Sequence, residues 1–171
     1  MATYFITENY LKTNTPITKN VDSTDVSPYI RPAAEMRLKP ILGSYFYDYL
    51  LAKYNAQTLT ANETILVEKM QPVVAWRAAE HAVFGLSYQL KNKGVQQQFG
   101  DYSSNVSQSE VAFVMDHYGQ MAAFYEKRLI SYILDNKDLF AEFTSDDNKD
   151  SDIKPVNDCN SDDYDNTMMV I

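Results

Sequence analysis

The chain has 171 residues, 45% of them hydrophobic and 22% charged, the size and make-up of one globular domain with room for a tail. Its net charge is −8, of which eight Asp and two Lys in residues 144–171 account for −6; a near-neutral body with an acidic end is a poor direct binder of duplex DNA, for which affinity rests largely on Lys and Arg neutralising phosphates. No run of about 18 apolar residues is present to span a membrane, MATYFITENYL lacks the regions of a signal peptide, and the single Cys159 excludes an intrachain disulfide or a Cys-based zinc site and fits a reducing cytosol.

The N-terminal arm (1–20) begins with apolar MATYFI and a short helix from Thr7 and Glu8, closed by the turn chemistry of Thr15-Pro16. Tyr4 and Phe5 either pack on their own subunit or reach to a neighbour. A second helix is predicted over about 25–38, with Asp22, Ser23, Thr24 and Asp25 offering caps. Pro32 implies a start near Ser27 or a local distortion, and Lys39-Pro40 ends the element. Ile41-Leu42-Gly43 is a tight junction where glycine takes a conformation costly to other residues. A short aromatic helix follows over about 44–54, with Phe46, Tyr49, Leu50, Lys53 and Tyr54 in helical register.

Thr60-Ala61-Asn62-Glu63 matches a capping box and launches the stretch around which the chain is organised, residues 62–91. Leu66, Met70, Val73, Val74, Phe84 and Tyr88 lie on one side of it. Ile65, Trp76, Val83, Leu86 and Leu90 lie on another. A helix apolar nearly all round is a buried one, and at 1.5 Å per residue it is ~40 Å long. Pro72 should bend it or split it in two. A polar stretch of about 15 residues, 92–106, is long for a connection inside a compact domain; its Phe99 and Tyr102 are either interface anchors or fold back on the core. Ser107-Gln108-Ser109-Glu110 is a second capping box and opens the last long helix, about 107–137. There Val111, Val114, Met115, Tyr118, Met121, Ala122, Tyr125, Leu129, Tyr132 and Ile133 form an inner stripe; Asp116, Gln120, Glu126, Lys127 and Arg128 lie between.

From Thr144 the composition turns to Asp, Asn and Ser, the mark of an extended acidic tail (144–171). It ends in apolar Met168, Met169, Val170 and Ile171, either a docking peptide on an acidic leash or plain tail. No alternating strand pattern stands out. The expected fold is all-α: a small helical bundle with two long antiparallel helices, two shorter ones, a connector domain over 1–143 and the tail.

Nothing in the pattern carries chemistry. His81 and His117 each neighbour a carboxylate in sequence, Glu80 and Asp116, and so point about 100° away from it on a helix. Asp150 and Asp152 lack the glycine and closing Glu of a calcium loop, and Cys159 has no neighbouring base. These features point to a binding or structural protein, with no catalytic, cofactor or metal residue assigned.

Taken together, FITENYLKTNTPI, VSPYIRPAAEMRLKPILGSYFYDYLL and LTANETILVEKMQPVVAWRAA resemble the head–tail connector (adaptor) proteins of tailed bacteriophages, most of all the ring proteins of crAss-like phages. PYIRPAAEMRLKPILGSYFYDYL, a helix leading to an Ile-Leu-Gly junction and an aromatic helix, is the most specific part. The similarity covers about residues 3–140. It implies a virion protein at the head–tail junction, assembled in the host cytoplasm: a homo-oligomeric ring of twelve copies under the portal protein. Such a ring extends the channel through which genomic DNA passes without sequence-specific binding, and docks other tail or ring proteins. The other reading is a non-enzymatic helical adaptor or regulatory module acting through the acidic C-terminal tail. Candidate partner-interface residues are Tyr4, Phe5, Phe99, Tyr102, Met168, Met169, Val170 and Ile171.

Overall fold

A computed structural model of the chain describes residues 3–91, 94–97 and 107–153. The fold is all-α, as the hydrophobic periods require. Six α-helices follow in order: α1 Glu8–Asn14, α2 Ser23–Leu42, α3 Ser44–Ala56, α4 Ala61–Ser87, α5 Gln108–Asp135 and α6 Ala141–Thr144, with a 3₁₀ turn at Lys137–Leu139 before the last. α4 is the centre. α2 packs along one side of it and α5 along another, while α1 closes a third.

α4 is buried through Leu66, Val67, Met70, Val73, Val74, Ala75, Ala78, Ala79 and Ala82. Its small residues let neighbours come close. The Tyr29 hydroxyl of α2 abuts Gly85, and the Glu80 carboxylate meets α5 at Gly119, where a Cβ would lie 3.2 Å from Oε1. Lys69 over Tyr132, Trp76 against Tyr118 and Arg77 bonded to Glu126 fix α4 and α5 as antiparallel. Both capping boxes form. Thr60 N–H donates to Glu63 at 2.7 Å, and Ser107 N–H donates to Glu110 at 2.7 Å. Asp22 caps α2 by accepting from Thr24 N–H.

Several boundaries differ from the sequence reading. α2 does not stop at Leu38. It runs through Pro28, Pro32 and Pro40 to Leu42. The prolines recur with Met36 at four-residue steps along the outward side, so the carbonyls they leave unpaired lie away from the core. The inner side buries Ala33, Ala34, Leu38, Ile41 and Leu42, which outweighs the missing bonds. Pro72 does not split α4, which is one element. α4 ends at Ser87, not Lys91. Tyr88–Lys91 (β1) instead pairs antiparallel with Gly94–Gln97 (β2), from Tyr88↔Gln97 to Lys91↔Gly94. Gly85 weakens the helix just before this point, and Tyr88-Gln89-Leu90-Lys91 alternates with period 2, which suits a strand.

The N-terminal arm packs on its own subunit. Phe5 is fully buried, its ring edge-on to Tyr47 at 5.5 Å and tilted against Tyr54 at 5.5 Å. Its carbonyl accepts from Gln71 Nε2 at 2.9 Å. Phe5 takes φ 64, a left-handed conformation unfavourable for a bulky residue; burying the ring against α3 is what holds it there. Phe5 is therefore core and not a partner-interface residue.

The expected boundary at 143/144 is also corrected. Residues 145–153 fold back onto the α2–α3 junction. Asn148 is fully buried and donates from Nδ2 to the carbonyls of Leu42 (2.8 Å) and Phe143 (3.0 Å). Asp150 accepts from Ser44 N–H at 2.9 Å, at the start of α3. Ser151 Oγ donates to Ile41 O, and Asp152 N–H to Pro40 O. A run rich in Asp and Asn is thus used as a clasp, because α2 ends with bare carbonyls and α3 begins with bare N–H groups.

Candidate interaction surface

Large apolar side chains left in solvent after the core is filled mark a surface that works by contact. On α5 the inner line holds Val111, Ala122, Leu129 and Ile133. The opposite line carries Phe113, 75% exposed, and Phe124, 52% exposed. At about 100° per residue Phe113, Gln120, Phe124 and Ser131 fall within ~20° of one line, and the two aromatics stand ~16 Å apart along the axis. Leu134 is exposed about 60° to one side of that line.

Beside Phe124 the outer faces of α4 and α5 form an open groove of about 650 Å³. Pro72, Leu129 and Tyr125 line its apolar part, and Ile65 lies exposed one turn before Lys69 on the same side of α4. Five charges line it: Lys69, Lys127 and Arg128, with Glu68 and Asp135. Two cations are seated on aromatic faces, Lys69 4.7 Å over the Tyr132 ring and Arg128 5.6 Å over Phe124. Among the described residues none of the three is ion-paired to a carboxylate.

The inner charges are treated differently. Arg77, 8% exposed, donates from Nε to Glu126 (2.9 Å) and from Nη1 to Glu80 (2.8 Å), and Arg37 of α2 approaches Glu126 at 3.7 Å. Burial disfavours the Arg77 cation, but its bonds to Glu126 and Glu80 outweigh this and hold its pKa above the ordinary value. Similarly, burial pushes the Glu63 carboxyl up, while Lys53, the Thr60 backbone and Tyr49 outweigh it and hold the group below the usual range. These clusters join helices. The groove cations form no such ion pairs among the described residues, and Lys69 meets α5 through the face of Tyr132.

Of the residues singled out from sequence, Phe5 lies in the core and Tyr4 is half-buried with the Arg31 guanidinium 5.5 Å above its ring. Phe99, Tyr102, Met168, Met169, Val170 and Ile171 lie outside the described residues. Phe113, Phe124, Ile65 and the groove were missed. The signal was there: two phenylalanines stand on the polar side of α5, off its inner stripe. Among the described residues no group of three or more His, Cys, Asp or Glu is placed to hold a metal ion, and no helix is long and apolar enough to cross a membrane.

A family model described as a family of unknown function, DUF6712, matches residues 38–153, and the chain belongs to that family. No curated protein and no solved structure matches it. The matched span opens on the last turns of α2 and closes at Ile153, where the clasp over the α2–α3 junction is complete.

Proposed function

We propose that this DUF6712 chain is a structural subunit of a phage virion that closes into a ring between portal and tail, of twelve copies as the resemblance to ring proteins implies. The ring extends the DNA channel and gives tail components a docking surface. The observation that carries this is the outward line of α5. Phe113 and Phe124 are exposed on a helix whose inner side already fills the core, together with an open groove beside Phe124. Such a surface is satisfied by another protein surface. A chain that repeats one head-to-tail contact closes into a ring when each step rotates by the right angle. The net charge of −8 agrees with a conduit that lets DNA slide, since bound DNA would need a basic surface. The role uses no catalytic residue, metal or cofactor, and it places the protein at the head–tail junction after assembly in the host cytoplasm.

Multi-angle light scattering of the purified chain, alone and with portal protein, tests this. The expected result is a closed oligomer, alone or on portal. A chain that stays monomeric and ignores portal overturns it, and is what a helical regulatory module acting through the acidic C-terminal residues would do.

A further inference from the structure

The three groove cations and the last residues of the chain are complementary. Residues 158–171 contain Asp158, Asp162, Asp163 and Asp165, no Lys or Arg, and then Met168-Met169-Val170-Ile171. The groove offers an apolar floor at Pro72, Leu129 and Tyr125 and cations at Lys69, Lys127 and Arg128, in excess over Glu68 and Asp135. We propose that residues 158–171 of one copy dock in the α4–α5 groove of a second copy, Met168–Ile171 on the apolar floor and the aspartates toward the cations. This rests on the ring reading above and names the contact that joins neighbours.

Position argues for a neighbour over the chain's own groove. The chain leaves the clasp next to Pro40, at the end of α2. α2 meets α4 at Gly85, where Tyr29 abuts it, and Gly85 lies about 140° round α4 from Pro72 of the groove. Donor and acceptor are therefore different surfaces of the subunit, as a heterologous contact requires. From Ile153 to Met168 is 15 residues, at most ~50 Å when extended, against a subunit whose longest helix is ~40 Å. That reach suffices for an abutting copy.

The test uses the full chain with Met169 replaced by photoreactive benzoylphenylalanine, in an equal mixture of ¹⁵N-labelled and unlabelled copies, with portal protein present. After irradiation, mass spectrometry locates the cross-links. Expected are labelled–unlabelled cross-links to residues 65–72 and 124–135. They should be lost with Phe124→Asp, weakened several-fold with Arg128→Glu, and unchanged with Met36→Ala, an exposed residue on the far side. Deleting Met168–Ile171 should leave folding intact and weaken assembly. Cross-links confined to single copies, placed elsewhere, or absent overturn the proposal; Val170 replaced in the same way guards against a misplaced probe. Light scattering on the same samples separates the two claims. An oligomer without groove cross-links sinks this contact alone, whereas no oligomer sinks the ring as well.

Discussion

The α2–α3 junction and the outer face of α4–α5 are treated in opposite ways by the same chain. At the junction, the Asn148 amide is taken out of water and is met by the Leu42 and Phe143 carbonyls. Gly43 turns at φ 81 and ψ 149, Asn148 fills the space a side chain there would need, and Asp150 answers the bare start of α3. On the outer face, aromatics stand in solvent and two cations lie on rings without an ion pair among the described residues. A buried polar group without a partner costs about 1–3 kcal/mol, so the junction must be complete inside one subunit. An exposed face carries no such penalty and can be left for a partner. Stability is thus concentrated at the clasp, and contact at the groove.

The largest effect expected on the stability side is at the arm that the sequence left undecided. Phe5→Ala should lower the unfolding free energy by about 3–5 kcal/mol, the usual cost of emptying a phenylalanine site. Urea denaturation would show it, and a loss under about 1 kcal/mol, the usual size for a surface site, would return Phe5 to the surface. Next is Gly43→Ala. A Cβ there would lie 2.0 Å from Asn148 Oδ1, and the backbone conformation suits only glycine. Strain and displaced hydrogen bonds together should cost about 3 kcal/mol. Asn148→Ala keeps the backbone but strands the Leu42 and Phe143 carbonyls, for about 2 kcal/mol.

Much of this division was legible in the sequence. The capping boxes at Thr60–Glu63 and Ser107–Glu110, the all-round apolarity of α4 and the inner stripe of α5 set the long helices and their order, because local hydrogen bonding and 3.6-residue periodicity are written in neighbouring residues. The clasp was not legible. Asn148 sits in a run of Asp, Ser and Asn whose composition reads as tail, and its partners Leu42 and Phe143 are backbone carbonyls, which no sequence marks. The helix through Pro40 was missed for a related reason. Proline removes a donor and crowds a carbonyl, but whether that matters depends on which side of the helix it faces, and only packing decides that. Gly43 was recognised as a junction, yet what it makes room for was not.

Acid should weaken the clasp side further, by a smaller amount. Ser44, through its hydroxyl and backbone N–H, holds the Asp150 carboxyl below its usual range, and Glu63 is likewise held low. A carboxyl with a lowered folded-state pKa adds stability that is present above the unfolded value, about 4, and is lost as pH falls through the folded value. Stability should therefore fall as pH drops below about 4, and Asp150→Asn should flatten that fall. A fall just as steep in the variant would remove Asp150 from the account. Asp150 is exposed, so its share of the loss stays below that of Asn148→Ala.

The smallest effect on stability belongs to the outer face, and its smallness is the point. Phe113→Asp with Phe124→Asp changes two exposed side chains that close no core contact among helices α1–α4. The unfolding free energy should move by no more than about 0.5 kcal/mol, while the oligomer seen by light scattering should shrink or vanish. A replacement that unfolds the chain would mean that these rings support α5 from outside and that the two regions are not separate. One that leaves both folding and assembly untouched would move the contact off α5. Only the split result, a stable subunit that no longer joins its neighbours, keeps the fold's completeness and its open face as two different properties of one sequence.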